Sequence, residues 1–264
     1  MNTKKSFELK KVHLEQIRNC YQGLGKKTII GSSGLFFYCC HRFRNPTIAP
    51  IFLTKKKLST QNLADIEQHI SDNPLNAKYD TNTAHISVIK DPYFGSDVKA
   101  VLKSSGWKNS TKSQGWINIW TEATKLEIPN GFYFKVGHFF EPSLHRDFCK
   151  MQRLNFGTDR KFDAEFDRWH RTLGKEIMLV VIYNSRNKPV GAGLVAKGGN
   201  QTSFLYSGSI DKRYRNKGLW KLLLAARQSL SNTGSGHLWV LFSRNPHISR
   251  KGQIVRKLHT FTKS

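Results

Sequence analysis

The chain has 264 residues, of which 38% are hydrophobic and 12% aromatic. This is enough for one large or two small domains with a buried core, and it argues against a disordered protein. The formal net charge of +25 at pH 7 favours acidic partners: nucleic acid, an anionic membrane surface, an acidic carrier protein or a polyphosphate cofactor. A generally basic surface explains the same charge equally well.

Cysteine usage and the lack of long apolar runs indicate a cytoplasmic protein. Cys39 and Cys40 are neighbours, so they point to opposite faces if their segment is a strand and are poor disulfide partners. No Cys-x-x-Cys pair occurs, which removes the usual zinc signature. The basic N-terminus lacks an apolar signal region, and no run approaches the ~18 apolar residues of a membrane span. We therefore expect a reduced setting, no metal and no transmembrane segment.

The first half of the sequence predicts strands that alternate with short helices. Apolar, β-prone runs predict strands over Thr28–Ile30, Leu35–Cys40, Thr47–Leu53, His85–Ile89 and Gly115–Trp120. Apolar residues at helical spacing predict helices over Val12–Leu24, Ser59–Ser71 and Ser96–Ser105. Gly106 directly follows the last of these helices, where glycine commonly ends a helix in a left-handed conformation.

The second half follows a linker predicted at Thr121–Asn130. Strand patterns occupy Phe132–Phe140, Glu176–Tyr183, Val190–Ala196, 202–210 and His237–Phe242. Helical patterns occupy Leu144–Leu154, Phe162–Leu173 and 218–230. The basic tail, His247–Ser264, has few core candidates, and we expect no strand there. The strands that would complete the second domain then come from the N-terminal half, or the second domain has fewer strands than is usual for its fold.

The segment Ser203–Leu230 reads as a strand, a basic turn and a helix. The turn contains Arg215-Asn-Lys-Gly218. The start of a helix leaves its first backbone N–H groups unpaired and carries a partial positive charge. After a tight glycine-containing turn these groups can surround a phosphate, and Arg215 and Lys217 add formal positive charge. The segment therefore predicts a phosphate site.

This pattern resembles motif A of the GNAT superfamily of N-acetyltransferases, Arg/Gln-x-x-Gly-x-Gly/Ala. Here it stands as Arg215-x-x-Gly218-x-Trp220, with a tryptophan where the family has a small residue. The three predicted strands over 176–210 match the meander that precedes this motif in such enzymes, so the resemblance covers roughly a third of the chain. The alternative interpretation is that this segment is an ordinary strand–turn–helix connection whose lysine and arginine side chains are simply exposed on the surface.

The resemblance implies an α+β fold with a mixed, mostly antiparallel sheet flanked by helices. The strand–helix–strand order over residues 85–120 looks like the closing part of the same fold, so we expect two related halves, 1–124 and 131–264. The first half contains no motif A and would be a degenerate copy. The second would bind acetyl-coenzyme A and transfer its acetyl group, or another acyl group, to an amine by direct attack in a ternary complex.

The resemblance also implies roles for individual residues. The diphosphate would be held by the backbone N–H groups of Asn216, Lys217, Gly218, Leu219 and Trp220, together with the Arg215 and Lys217 side chains. The pantetheine arm would pair with Ser209 and Ile210, with a backbone N–H near Ile210 polarising the thioester carbonyl. Asn245, just beyond the last strand, would contact the same arm.

The groups that move protons are less defined by the sequence. The family often uses a tyrosine after the last strand as general acid, but no tyrosine follows Tyr214. Ser243, His247 or Ser249 would replace it, or a water molecule. The candidate bases are Tyr206, His170, Glu176 or again water.

Two other functions fit the sequence. FemABX-like aminoacyltransferases are also built from two related halves and take their acyl group from charged tRNA, which a basic groove suits. The run Phe204-Leu-Tyr-Ser-Gly-Ser is similar to their corresponding strand. A non-catalytic nucleic-acid-binding protein also fits, because lysine and arginine alternate with aromatic residues around Trp107 and Trp116–Trp120. A longer acyl chain delivered by an acidic carrier protein also stays open.

Overall fold

The structure is a computed structural model. It describes residues 29–30, 35–40, 47–53, 59–61, 63–64, 68, 84–90, 97–160, 163–164, 167, 177–197, 202–231, 236–243, 252 and 254–263. Contacts divide the chain into two compact units: a first unit of Met1–Ile119 with Phe242–Ser264, and a second unit of Trp120–Leu241. The predicted halves, 1–124 and 131–264, stay a prediction, but the contacts group the residues after 241 with the first unit.

The first unit contains a mixed sheet. Its strands are β1 (Ile29–Ile30), β2 (Leu35–Cys40), β3 (Thr47–Leu53), β4 (Ala84–Lys90), β5 (Lys108–Trp120) and β11 (Ile254–Lys263). They lie in the order β1-β2-β3-β4-β11-β5. β3 and β4 are parallel, and the other neighbours are antiparallel. The predicted bounds of β2 and β3 are confirmed.

Helices occur in the first unit where the apolar spacing predicts them. Between β3 and β4 the described residues 60–61, 63–64 and 68 are helical, and Leu63 is buried. Helix α1 (Asp97–Ser104) precedes Gly106, whose φ of 82° confirms its left-handed conformation. Leu102 and Trp107 on either side of that turn are buried. The helix predicted over Val12–Leu24 lies outside the described residues.

The expectation that the tail adds no strand is wrong. β11 lies between β4 and β5 and pairs with both along most of its length, and Phe261 is only 2% exposed. The pairing with β5 shifts register between Leu258 and Thr260. This irregularity breaks the alternation of apolar and polar residues that identifies a strand in sequence, so the tail reads as a basic loop.

Phe261→Ala should destabilise the first unit by about 3–5 kcal/mol, because it removes a buried aromatic side chain from the strand between β4 and β5. Hydrogen exchange should show lost amide protection in β4 and β5 but unchanged protection in the strands of the second unit. Phe261→Leu keeps most of the apolar volume and should cost far less. Equal loss of protection in both units would contradict the assignment of β11 to the first unit.

The second unit is built on an antiparallel meander with one parallel strand. Its strands are β6 (Phe132–His138), β7 (Ile177–Asn184), β8 (Pro189–Lys197), β9 (Thr202–Ile210) and β10 (Leu238–Ser243). They lie in the order β10-β9-β8-β7-β6. β6 to β9 pair antiparallel, and β10 pairs parallel with β9. The α+β class with a mixed, mostly antiparallel sheet is confirmed.

Helix α2 (Pro142–Phe156) lies between β6 and β7 in the chain. Glu141 is its N-cap and proline occupies its first turn, where the missing N–H costs nothing. The helix ends at Phe156, two residues later than the pattern over Leu144–Leu154 predicts, and Gly157 caps it with a φ of 64°. In the next predicted helix, Phe162–Leu173, the described residues 163–164 and 167 are helical, and so is residue 160 just before it.

Helix α3 (Leu219–Ser229) connects β9 to β10. One apolar face packs on β7, β8 and β9, and the buried members of this cluster are Val180, Ile182, Val190, Ile210, Leu219, Leu222, Leu223 and Ala226. Burial of each large aliphatic side chain contributes about 1.5–3 kcal/mol. This packing fixes where α3 begins relative to the end of β9.

Candidate functional site

The parallel pair of β9 and β10 is the first component of the site. The described register of the pair runs from Thr202↔Leu238 to Leu205↔Leu241, whereas β9 continues to Ile210. On its other side β9 stays paired with β8 as far as Ile210. The edge of residues 206–210 that faces β10 therefore lies beyond the described pairing, where its peptide groups can bind an extended ligand.

A bulge interrupts β9 in this segment. Ala192 pairs with Ser209 and Leu194 with Tyr206, which leaves Gly193 opposite Ser207 and Gly208. Ser207 has a φ of 50°, and its carbonyl accepts a 3.0 Å hydrogen bond from Gln152 Nε2 of α2. Such bulges bend a strand and re-aim its backbone groups, and they are frequent next to active sites.

Asp211 holds the chain as it leaves β9. Its N–H donates to the Val190 carbonyl at 2.9 Å, and its carboxylate accepts from the Arg213 N–H at 3.0 Å and from Arg213 Nη2 at 2.6 Å. The carboxylate is 1% exposed. The hydrogen bonds from Arg213 lower the pKa of Asp211 below its usual range. A short 3-10 helix, Lys212–Tyr214, follows.

The predicted phosphate turn is exposed and ends in a glycine cap. The four residues of the turn, Arg215–Gly218, are all exposed, and α3 begins at Leu219 with Gly218 as N-cap and no side-chain cap. Asn216 and Gly218 have φ angles of 64° and 75°. Backbone N–H groups brought together by such left-handed residues at a helix start form an anion-binding concavity.

The cations around the turn differ in their availability. The guanidinium of Arg213 is bound by Asp211, and the ammonium of Lys217 lies 5.6 Å from the centroid of the Tyr214 ring. For Arg215 the described contact is a long one, 3.5 Å from Nε to the Ile210 carbonyl. Arg215 and Lys217 therefore keep positive charge at the exposed turn.

Ser209 and Ile210 contribute to the site differently. The buried hydroxyl oxygen of Ser209 has no hydrogen-bond partner, and a buried hydroxyl without a partner is costly unless a ligand or water completes it. The Ile210 side chain belongs to the α3 core cluster, so a ligand at this position would meet its backbone and not its side chain.

The Trp220 indole is directed along β9. A Cβ built on Gly208 would lie 3.2 Å from Trp220 Cζ3, which places the ring against the bulge. Gly208 has no side chain, and this is what makes room for the indole. Trp220, which stands where motif A has a small residue, is thus accommodated beneath the strand.

The residues predicted to move protons are only partly described. Tyr206 is buried, and its ring stacks on Phe204 with centroids 5.5 Å apart, on the same strand as Ser209. Ser243 ends β10 and is partly buried. The other proton-transfer candidates lie outside the described residues: His247, His170, Glu176 and Ser249. So does Asn245, the residue predicted to contact the pantetheine arm.

Sequence reasoning missed a cluster of His145, Cys149 and Asp167. His145 Nε2 lies 2.7 Å from Asp167 Oδ1 and 3.6 Å from Cys149 Sγ. A relay from carboxylate to thiol needs both ring nitrogens, whereas one nitrogen makes both contacts here. Burial raises the pKa of the Cys149 thiol to about 12, and Asp163 and Asp167 add to the effect. The thiol therefore stays protonated at neutral pH and is a poor nucleophile.

The described residues contain no group of His, Cys, Asp and Glu side chains that could hold a metal ion. None of the helices in the described part of the chain combines the length and the apolar character that crossing a bilayer requires.

No protein-family model and no curated protein sequence matches the chain. Solved structures do. A tandem GNAT protein from the clavulanic acid biosynthesis pathway has 12% identity and a TM-score of 0.61 over 89% of this chain and 81% of its own. A GCN5-related N-acetyltransferase from Kribbella flavida has 11% identity and a TM-score of 0.62 over 94% and 93%. One from Sphaerobacter thermophilus has 14% identity and a TM-score of 0.60 over 88% and 77%.

Asp211→Asn should reduce the free energy of unfolding by about 1–3 kcal/mol, because it leaves buried polar groups imperfectly paired. The folded-state pKa of Asp211 is lowered, so its stabilisation is present above the unfolded pKa of about 3.9 and is lost as pH falls through the folded value. Urea unfolding of both proteins should give a difference that shrinks below about pH 4. A difference that does not change with pH would contradict the role of the charge.

Proposed function

We propose that this chain, which has the fold of the GNAT N-acetyltransferases, transfers an acyl group from acyl-coenzyme A to an amine, with acetyl-coenzyme A as a donor. The observation that supports this best is the exposed turn Arg215–Gly218, whose Gly218 caps the start of α3, shortly after the edge of β9 that lies beyond its described pairing with β10. One end of such a site binds phosphate, and the other binds an extended amide-containing arm.

The diphosphate of the donor would bind at the turn. The backbone N–H groups of Asn216, Lys217, Gly218, Leu219 and Trp220 surround it, and the Arg215 and Lys217 side chains offset its charge. Hydrogen bonds to a charged group are worth about 1.5–3 kcal/mol each, and the helix start adds up to about 1 kcal/mol.

The pantetheine arm would follow β9 away from the turn. Its amide groups pair with the strand edge at Ser209 and Ile210, and the Ser209 hydroxyl gains the partner that it lacks. A main-chain N–H near Ile210 polarises the thioester carbonyl, so that negative charge developing on the oxygen is stabilised. Asn245 would contact the arm from beyond β10.

The acyl group would pass directly from sulfur to nitrogen. The neutral amine attacks the thioester carbonyl, the C–N bond forms, the C–S bond breaks, the nitrogen loses a proton and the thiolate gains one. Tyr206 is the proposed base, and Ser243 or His247 the proposed acid. The protonated state of Cys149 supports direct transfer, because an acyl-enzyme would need a nucleophilic thiolate.

The first unit is the proposed degenerate copy. Both units combine antiparallel strand pairs with one parallel pair. In the first unit the parallel pair is β3 and β4, and the connection between these strands contains helical residues. The first unit contains no Arg-x-x-Gly sequence, so the phosphate turn of the donor site would lie in the second unit. Coenzyme A chemistry suits a reducing compartment, and so does Cys149, which is buried and forms no disulfide. We therefore propose that the protein is located in the cytoplasm.

Gly218→Asp should abolish acetyl-coenzyme A binding, or weaken it by at least about tenfold, because it sets a carboxylate where the diphosphate would sit. Isothermal titration calorimetry measures this directly. Gly157→Asp is a matched control: Gly157 also has a positive φ, 64°, and space around its Cβ position, so it carries a similar backbone strain without touching the turn. Equal affinities for both variants would refute the proposed site.

Cys149→Ala should keep the rate of acyl transfer to within about threefold of wild type, because the thiol takes no part in direct attack. The rate of coenzyme A release with a panel of amines measures it. A loss of all transfer with intact folding, or an acyl group found on Cys149 by mass spectrometry, would replace direct attack with a covalent route.

A further inference from the structure

Arg227 is a fully buried cation in α3. Its side chain is 0% exposed, and Nε donates to the Leu223 carbonyl at 3.1 Å. Nη1 and Nη2 have no hydrogen-bond partner. Burial lowers the pKa of Arg227 to about 9, so the guanidinium is still charged at neutral pH. A buried charge without a counter-ion costs several kcal/mol, and the described residues supply no carboxylate within an ion-pair distance of it.

The two unpaired nitrogens lie directly under the bulge of β9. A Cβ built on Gly208 would be 3.1 Å from Nη1 and 3.3 Å from Nη2, and one built on Gly193 would be 3.2 Å from Nη1. Neither glycine has a positive φ, so backbone conformation does not require glycine at either position. What the glycines provide is the space that the guanidinium occupies.

The Trp220 ring packs beside the same glycine. Its centroid lies 5.4 Å from the guanidinium carbon of Arg227, and its Cζ3 would lie 3.2 Å from a Cβ built on Gly208. The donors that face Gly208 are therefore the two guanidinium nitrogens of Arg227, and neither can act as an acceptor.

This cluster is at the end of the path proposed for the donor. With the thioester carbonyl near the Ile210 N–H, the acyl chain would continue along β9 beyond the thioester. Gly208 is two residues away, about 7 Å along the strand, which is within reach of a short acyl chain. An anionic group on the acyl chain would there meet the guanidinium, whose planar fork of donors matches a carboxylate.

We propose that Arg227 selects an acyl donor whose acyl chain ends in a carboxylate, a short dicarboxylic acyl-coenzyme A. This rests on the proposed function and goes further by naming the acyl class. The carboxylate takes no part in the bond changes; it neutralises the buried cation while the thioester reacts. An uncharged acyl chain leaves that cation without a counter-ion and is bound less well.

The test compares succinyl-coenzyme A with pentanoyl-coenzyme A, an uncharged chain of similar length, by calorimetry. Wild type should prefer the succinyl donor by at least about tenfold. The ratio of the two affinities should fall to about one in Arg227→Met, because the guanidinium is gone; an apolar side chain of similar length is tolerated in its buried place. Arg227→Lys, which keeps the positive charge but not the planar guanidinium, should retain part of the preference.

The outcomes separate the two proposals. If wild type binds acetyl- and pentanoyl-coenzyme A but shows no preference for the succinyl donor, the acyl class is wrong and the acyltransferase proposal stands. A preference that persists in Arg227→Met also overturns the role of Arg227. If wild type binds no coenzyme A species, both proposals fail.

Discussion

The connection between two parallel strands determines the site. Parallel neighbours such as β9 and β10 cannot be joined by a tight turn, so the chain crosses over through a helix, and α3 must begin near the end of β9. The ion pair of Asp211 with Arg213 and the hydrogen bond to Val190 fix the direction of that exit. The turn before α3 is exposed, and its glycine cap offers no side chain to the first N–H groups of the helix. The fold and the proposed phosphate site follow from the same constraint.

Glycines in β8 and β9 leave room for the side chains that pack against the sheet. A Cβ on Gly191 would come within 2.6 Å of the Ile210 side chain, and Gly193 and Gly208 lie over the Arg227 guanidinium. The result is a strand pair that approaches α3 closely and holds a desolvated charge. A fold that is only marginally stable retains such a cost where a ligand offsets it, which is the basis of the proposed carboxylate on the donor.

Local signals in the sequence were sufficient for β9, the basic turn and α3, because alternation, a glycine turn and helical spacing are all short-range. They failed for β11, where a register shift breaks the alternation. They also did not indicate that Arg227 is buried, since an arginine within a helical apolar pattern is ordinarily read as exposed. The contact of His145 with Asp167 depends on tertiary structure, although the i, i+4 spacing of His145 and Cys149 was visible.

The central claim is that the amides at the start of α3 hold the diphosphate of coenzyme A. Amide NMR shifts of the isotope-labelled protein, followed during titration with coenzyme A and separately with pantetheine, test it most directly. The account predicts that coenzyme A gives its largest shifts at the amides of residues 216–220, and that pantetheine, which lacks the diphosphate, leaves them in place while shifting those of β9. Coenzyme A shifts concentrated elsewhere, with the amides of 216–220 unmoved, would contradict it.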